Sequence, residues 1–194
     1  MSEELLIEGC LQLDKRCQET LYKQYYPDML RVCLRYTKTQ QEALDILNRG
    51  FLKVFTNIAS YKQSGVLGAW IRRIMVNTAI DFYREKTAVE KVVPLCVGSE
   101  DELGQAFIQP EIYSRFSSQD ILLLLQSLPT NYRLVFTLHA VEGYSYREIA
   151  GLMDIKENTC RWYLMEARKL LQERMKQLLL LIPQTNAYGQ AAAL

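Results

Sequence analysis

The 194 residues are 49% hydrophobic and 23% charged with a formal net charge of +1, which describes a folded globular chain and excludes a disordered one. The longest purely aliphatic runs, residues 121–125 and 178–182, are far too short to span a bilayer. The acidic start MSEELLIEG lacks the basic-then-apolar form of a secretory signal, so a cytoplasmic protein without direct membrane insertion is expected. Five cysteines (Cys10, Cys17, Cys33, Cys96 and Cys160) contain no CxxC pair and read as free, mostly buried thiols. A single histidine, His139, cannot build a metal or catalytic centre and reads as packing or capping within its helix. With no metal-ligand spacing and no glycine-rich phosphate loop, we expect no catalytic residue, metal, cofactor or small-molecule substrate.

In chain order, helical spacing begins with residues 2–12 and 15–26. Pro27 marks a kink or fresh start before residues 28–36, where Met29, Val32, Cys33 and Tyr36 share a side. Residues 40–58 form a long amphipathic helix with Ala43, Ile46, Leu47, Gly50, Phe51, Val54, Phe55 and Ile58 as its core stripe. Its far side carries Asp45, Asn48, Arg49 and an isolated Leu52, either a chance exposure or the centre of a protein-binding patch. Residues 59–68 are a loop. Residues 69–86 form the next helix, with Ile71, Ile74, Met75, Thr78 and Phe82 inward. Trp70, Arg73, Asn77, Asp81 and Arg84 recur on a separate face. Forked Arg and Asn side chains suit phosphates and base edges, and Trp offers a stacking plane; packing against the preceding loop is the bland alternative.

Residues 87–113 lack a sustained period and carry an acidic run at Glu100, Asp101 and Glu102, the mark of a linker. The even net charge hides an asymmetry. Residues 31–91 hold 11 basic and 5 acidic side chains, whereas residues 92–125 hold 1 and 5. Ser117 with Asp120 starts a helix ended by Pro129, and Thr130 or Asn131 caps another that runs to residue 141. After Gly143, Ser145 and Glu148 form a capping box, Asp154 suits a left-handed turn, and Cys160, Leu164, Ala167 and Leu171 give a second helix its buried stripe. Arg161, Trp162, Met165 and Lys169 fall on the opposite side, the layout of a helix-turn-helix facing a major groove. The expected fold is all-α: two small helical domains, residues 1–88 and 116–182, joined by a flexible acidic linker, residues 89–115. A frayed tail, residues 183–194, follows.

Four stretches in this order carry a family resemblance: LYKQYYPDMLRVCLRYT, EALDILNRGFLKVF, AWIRRIMVNTAIDFYREK, and LPTNYRLVFTLHAVEGYSYREIAGLMDIKENTCRWYLMEARKLL. Over residues 15–175 the chain resembles the extracytoplasmic-function (ECF) bacterial sigma factors. The resemblance implies that the first domain is sigma region 2 and that Asp45, Asn48 and Leu52 dock on the β′ clamp helices of core RNA polymerase. It implies that Tyr61, Lys62, Ser64, Trp70, Arg73, Asn77, Asp81 and Arg84 read the downstream (−10) promoter element and capture a flipped base. The second domain would be region 4, beside the β flap, with Arg147, Lys156, Thr159, Arg161, Trp162, Met165 and Lys169 on the upstream (−35) element. An anti-sigma factor, which can hold such a protein near the membrane, is a further implied partner. The chain departs from the family pattern at Leu44, Asn48 and Arg49, and at Trp162, Tyr163 and Glu166, where the family often carries Ser and two Arg. Fewer cations there imply weaker phosphate attraction, with Trp162 or Met165 against thymine methyl groups in compensation. A stand-alone helix-turn-helix regulator with a sensing or dimerising amino-terminal domain is the competing reading.

Overall fold

The structure is a computed structural model, and it describes residues 2–62, 65–87 and 116–181. The linker, Cys96, Ser64 and the tail lie outside the described residues. Every regular element among those described is helical.

Helix α1 (Glu3–Leu11) is capped by Ser2 and buries Leu6, Ile7 and Cys10. Helix α2 (Lys15–Tyr36) continues unbroken past Pro27, so the fresh helix start expected there does not occur. The proline leaves the carbonyl of Lys23 without its helical donor, but Lys23 and Pro27 both sit on the solvent side, where water takes that role. Helix α3 (Gln40–Asn57) buries Ala43, Ile46, Leu47, Gly50, Phe51 and Val54 of the expected stripe, leaves Phe55 half-buried, and closes in a 3-10 turn, Ile58–Ser60, with Ile58 buried. Helix α4 (Leu67–Thr87) packs against α3 at Gly50, where a Cβ would run into the Met75 sulfur. Glycine here sets the distance between the two helices.

In the C-terminal half, α5 (Ser118–Ser127) begins in a complete capping box of Ser117 and Asp120. Helix α6 (Thr130–Phe136) follows Pro129 without a side-chain cap, so neither Thr130 nor Asn131 caps it, and Thr130 is instead its first residue. The chain then widens into a π turn, Thr137–Val141, closed by Glu142 N–H donating to the Thr137 carbonyl at 3.1 Å. Gly143 takes φ +79°. Helix α7 (Tyr146–Met153) starts in the Ser145–Glu148 capping box and ends at Asp154, which adopts the left-handed conformation at φ 54°. Helix α8 (Glu157–Leu181) is the long second helix of the pair.

The principal core runs through α1 to α4 and continues into Leu134, Leu138, Ile149, Cys160 and Leu164 of the C-terminal half. A smaller cluster around Phe116, Leu128, Ala167 and Leu171 belongs to the C-terminal half alone. Arg133 ties the halves together although it is 0% exposed. Its Nε donates to the Tyr36 carbonyl at 3.0 Å, and its Nη1 donates to the carbonyls of Gln126 and Leu128 at 3.2 and 3.1 Å. Gln126 Nε2 adds a bond across the same boundary to the Leu34 carbonyl at 3.2 Å.

Candidate nucleic-acid interface

Two surfaces carry the residues singled out in the sequence. The first is an open cleft of about 370 Å³ between the end of α3 and the outer side of α4. Lys53 and Asn57 come from α3, Ser60 from the 3-10 turn, and Trp70, Ile74, Asn77 and Asp81 from α4. Three of the expected reading residues, Trp70, Asn77 and Asp81, therefore converge on one cavity. Tyr61 joins its rim, with its ring 5.5 Å from that of Trp70 and its hydroxyl donating to the Gly65 carbonyl. Arg73 and Arg84 are exposed along the same helix and Lys62 lies on the loop, outside the cleft lining. Ile74, expected to be core, is half-buried and forms part of the cleft floor.

Lys53 and Asn57 were not expected as site residues, whereas Ser60 opens the loop expected to read the downstream element. Lys53 Nζ lies 2.8 Å from Asp81 Oδ2, so a cation and an anion face each other across the mouth. Both are about half exposed, and such a pair adds little stability. Its value is positional: each charge holds the other in the cleft. The cavity combines an indole plane, two amides, a hydroxyl and an ammonium, a set able to stack on a base and hydrogen-bond its edge.

On the far side of α3, Leu52 is 68% exposed, an apolar side chain with Asp45 and Asn48 beside it. Asn48 Oδ1 accepts from the Tyr22 hydroxyl at 3.2 Å, and Asp45 accepts from Gln41 at 3.3 Å, so both are oriented before any partner arrives. Arg49 is turned elsewhere, to Glu85 at 2.9 Å and the Phe82 ring.

The second surface is the outer side of α7 and α8. Arg147, Lys156, Arg161 and Lys169 are exposed, while Thr159, Trp162 and Met165 are half-buried. Trp162 packs edge-on to Tyr132, which limits the face it can offer. Tyr163 is not on this surface: it is buried, and its hydroxyl accepts from Asn131 at 3.3 Å. It replaces a cation with core packing rather than with another surface contact. The Arg161 guanidinium lies 4.6 Å from the Tyr146 ring centroid, and Tyr146 stacks at 4.6 Å on His139. His139 is in turn held by Nδ1 donating to the Tyr144 carbonyl at 2.8 Å, a packing and capping role. The Arg161 guanidinium is thus backed by a stacked pair of rings.

Three of the described thiols are buried and held protonated. Burial pushes the Cys33 thiol up to about 12 and the Cys10 and Cys160 thiols up to about 11. No cluster of acidic, cysteine or histidine residues able to hold a metal occurs among the described residues, and no helix there is long and apolar enough to cross a membrane.

An open cleft in one half and a helix-turn-helix in the other give this helical chain the layout of a two-part DNA reader. Comparison with known proteins gives the family. The model of Sigma-70 region 2 matches residues 21–89, and that of Sigma-70, region 4 matches residues 118–171. The ECF RNA polymerase sigma-E factor of Haemophilus influenzae is 23% identical over 193 residues, covering 92% of this chain and 98% of that protein. Its counterpart in Escherichia coli K12 is 24% identical over 186 residues, covering 92% and 97%. Among solved structures, the sigma factor RpoE bound to the anti-sigma factor NepR from Bartonella quintana is similar with a TM-score of 0.49. It is 19% identical and covers 81% of this chain and 96% of that one. CnrH in complex with the cytosolic domain of CnrY gives a TM-score of 0.46 at 17% identity, covering 89% and 96%. The chain belongs to the ECF sigma factors.

Proposed function

We propose that this chain directs core RNA polymerase to specific promoters and begins DNA opening at the downstream element, without catalysing a reaction itself. RNA synthesis belongs to the polymerase, and the protein acts with it in the cytoplasm. The observation that carries the reading is the cleft holding Trp70 and Asn77 of α4 together with Lys53, Asn57 and Ser60. Taking a base out of the stack costs a few kcal/mol. A stacking plane, amides and a cation in one cavity are what can offset it. The exposed Leu52, flanked by the oriented Asp45 and Asn48, is the polymerase-docking patch, and α8 reads the upstream element through Arg161, Lys169 and the exposed part of Trp162. The domain limits follow the same division, residues 1–88 and 116–182. Control by an anti-sigma factor is proposed because two similar structures are complexes of that kind.

Run-off transcription with core polymerase tests the whole reading. Factor-dependent transcripts from a defined promoter set are expected; duplex binding alone with no open complex would mark a free-standing regulator instead. Asn77→Ala should lower open-complex formation at least tenfold with core binding unchanged. Loss of core binding would make Asn77 a structural residue.

A further inference from the structure

Helix α4 is entered through a residue that serves neither the helix nor the core. Val66 immediately precedes Leu67, and its carbonyl accepts from the N–H groups of Ala69 and Trp70 at 3.0 and 3.3 Å. That is the N-cap position, where Ser, Thr, Asp or Asn ordinarily lends a side-chain oxygen to the first turn. Helices α1, α2, α3, α5 and α7 follow that rule through Ser2, Asp14, Thr39, Ser117 and Ser145. Valine has no oxygen to lend. Nor does it bury its methyl groups. Val66 is 73% exposed, and among the described large hydrophobic side chains only Leu180, near the end of α8, is more exposed.

A bare apolar residue on a slack loop would mean little, since single exposures are common. This one is held from both ends. The Tyr61 hydroxyl donates to the carbonyl of Gly65, just before it, and the Tyr61 ring packs 5.5 Å from that of Trp70. Leu67, just after it, is fully buried. Gly68 lies so near the Tyr25 ring of α2 that a Cβ there would stand 3.1 Å from Cε1. The backbone at Val66 is therefore fixed by its neighbours, and branching at Cβ restricts the one torsion its side chain has. The cleft begins close by. Trp70, which lines it, follows one helical turn later, about 5.4 Å along α4.

We propose that Val66 is a wedge that enters the base stack beside the captured base and holds apart the step that base has left. This rests on the promoter-reading function proposed above, and it adds a task distinct from recognition. Apolar side chains inserted at a base step unstack it and kink the duplex. The rise of about 5.4 Å from Val66 to Trp70 lies between one and two base steps of about 3.4 Å, so wedge and stacking plane act on neighbouring positions of one strand. A capping residue with an oxygen would suit α4 better but would bring a hydrated group to the stack. Trp70 and Asn77 keep the base once it is out; Val66 keeps the gap from closing.

Val66→Ser separates the two tasks, because serine supplies the missing cap while removing the wedge. The full-length variant should melt at or above the temperature of the natural chain, so that lost opening is not lost folding. With core polymerase, single-round run-off from a duplex promoter should fall about tenfold. On the same promoter with the downstream element already unpaired by mismatches, it should stay within about twofold, since no step remains to be parted. Val66→Ile keeps a branched apolar side chain and should match the natural chain within about twofold on the duplex. Equal losses on the two templates, or undiminished run-off from the duplex with the serine variant, would each overturn the wedge. So would weaker binding of core polymerase, which would make Val66 a protein contact, or a lower melting temperature, which would make it a support of the fold. A natural chain that gives no run-off from either template would count against the promoter-reading function, whereas the contrast between templates judges the wedge alone.

Discussion

Arg133→Met puts the deepest contact between the two halves to a quantitative test. The guanidinium is fully buried, and its partners are the carbonyls of Tyr36, Gln126 and Leu128 and the Tyr83 hydroxyl at 3.4 Å. Methionine fills similar length without donors. Three carbonyls would then lose a charged donor, each at about 1–3 kcal/mol. Against this stands relief from keeping a cation out of water, which is itself worth several kcal/mol. Leu128 is fully buried, so its carbonyl cannot turn to solvent, and the balance favours a net loss of about 2–4 kcal/mol. That is a large part of the 5–15 kcal/mol typical of a folded domain. Urea unfolding monitored by circular dichroism measures it as a lower midpoint. Arg133→Lys should recover less than half of the loss, because one ammonium cannot reach acceptors on both sides of the boundary. A methionine variant within about 1 kcal/mol of the natural chain would refute the reasoning, since the buried cation would then cost as much as its bonds return.

Three further outcomes follow from single sites. Cys33 has its thiol raised by burial from 9.0 to about 12, so the stability it contributes is intact below pH 9 and falls away as pH rises towards 12. At pH 10 the loss is about 1.4 kcal/mol for this thiol, and a thermal-melt series should show Cys33→Ala flatter than the natural chain between pH 9 and 11. Leu13 is 72% exposed yet holds φ +59°, which strains a side chain that buries nothing. Leu13→Asn should therefore raise stability by about 0.5–1 kcal/mol, and a lower melting temperature would show the turn depends on the leucine. Tyr146→Leu removes the ring between His139 and Arg161 and, on the proposed reading role of Arg161, should weaken base-pair discrimination by up to about fivefold, in competition binding to upstream-element duplexes. Tyr146→Phe should stay within about twofold; equal losses in both would place the effect on the hydroxyl.

What could be read in advance was local. The capping boxes at Ser117 and Ser145, the left-handed Asp154 and the buried stripe from Cys160 to Leu171 depend on residues within about three turns of one another, and all four stand as expected. Trp70 and Asn77 were visible because they share one face of one helix. Lys53 and Asn57 were not, because they enter the cleft from a different element and look like ordinary solvated positions. Glu142, which accepts from Arg72, gave no signal at all: its partner lies 70 residues away, and nothing nearby separates it from any exposed glutamate. Tyr163 misled for the opposite reason. It occupies a position where the family often has a cation, but an aromatic ring can turn inward to Tyr132 and Asn131, as a guanidinium rarely does.

The division of the interior into a shared core and a smaller one around Leu128 and Leu171 bears on how the chain melts. While the halves are packed together, Leu134, Leu138 and Ile149 belong to the same packed body as Tyr36, so heating the free protein should give one calorimetric transition. Once the halves part, each keeps hydrophobic contacts of its own, and the single endotherm should split in two. The C-terminal half can let go of its neighbour without coming apart, because its second cluster never depended on that neighbour.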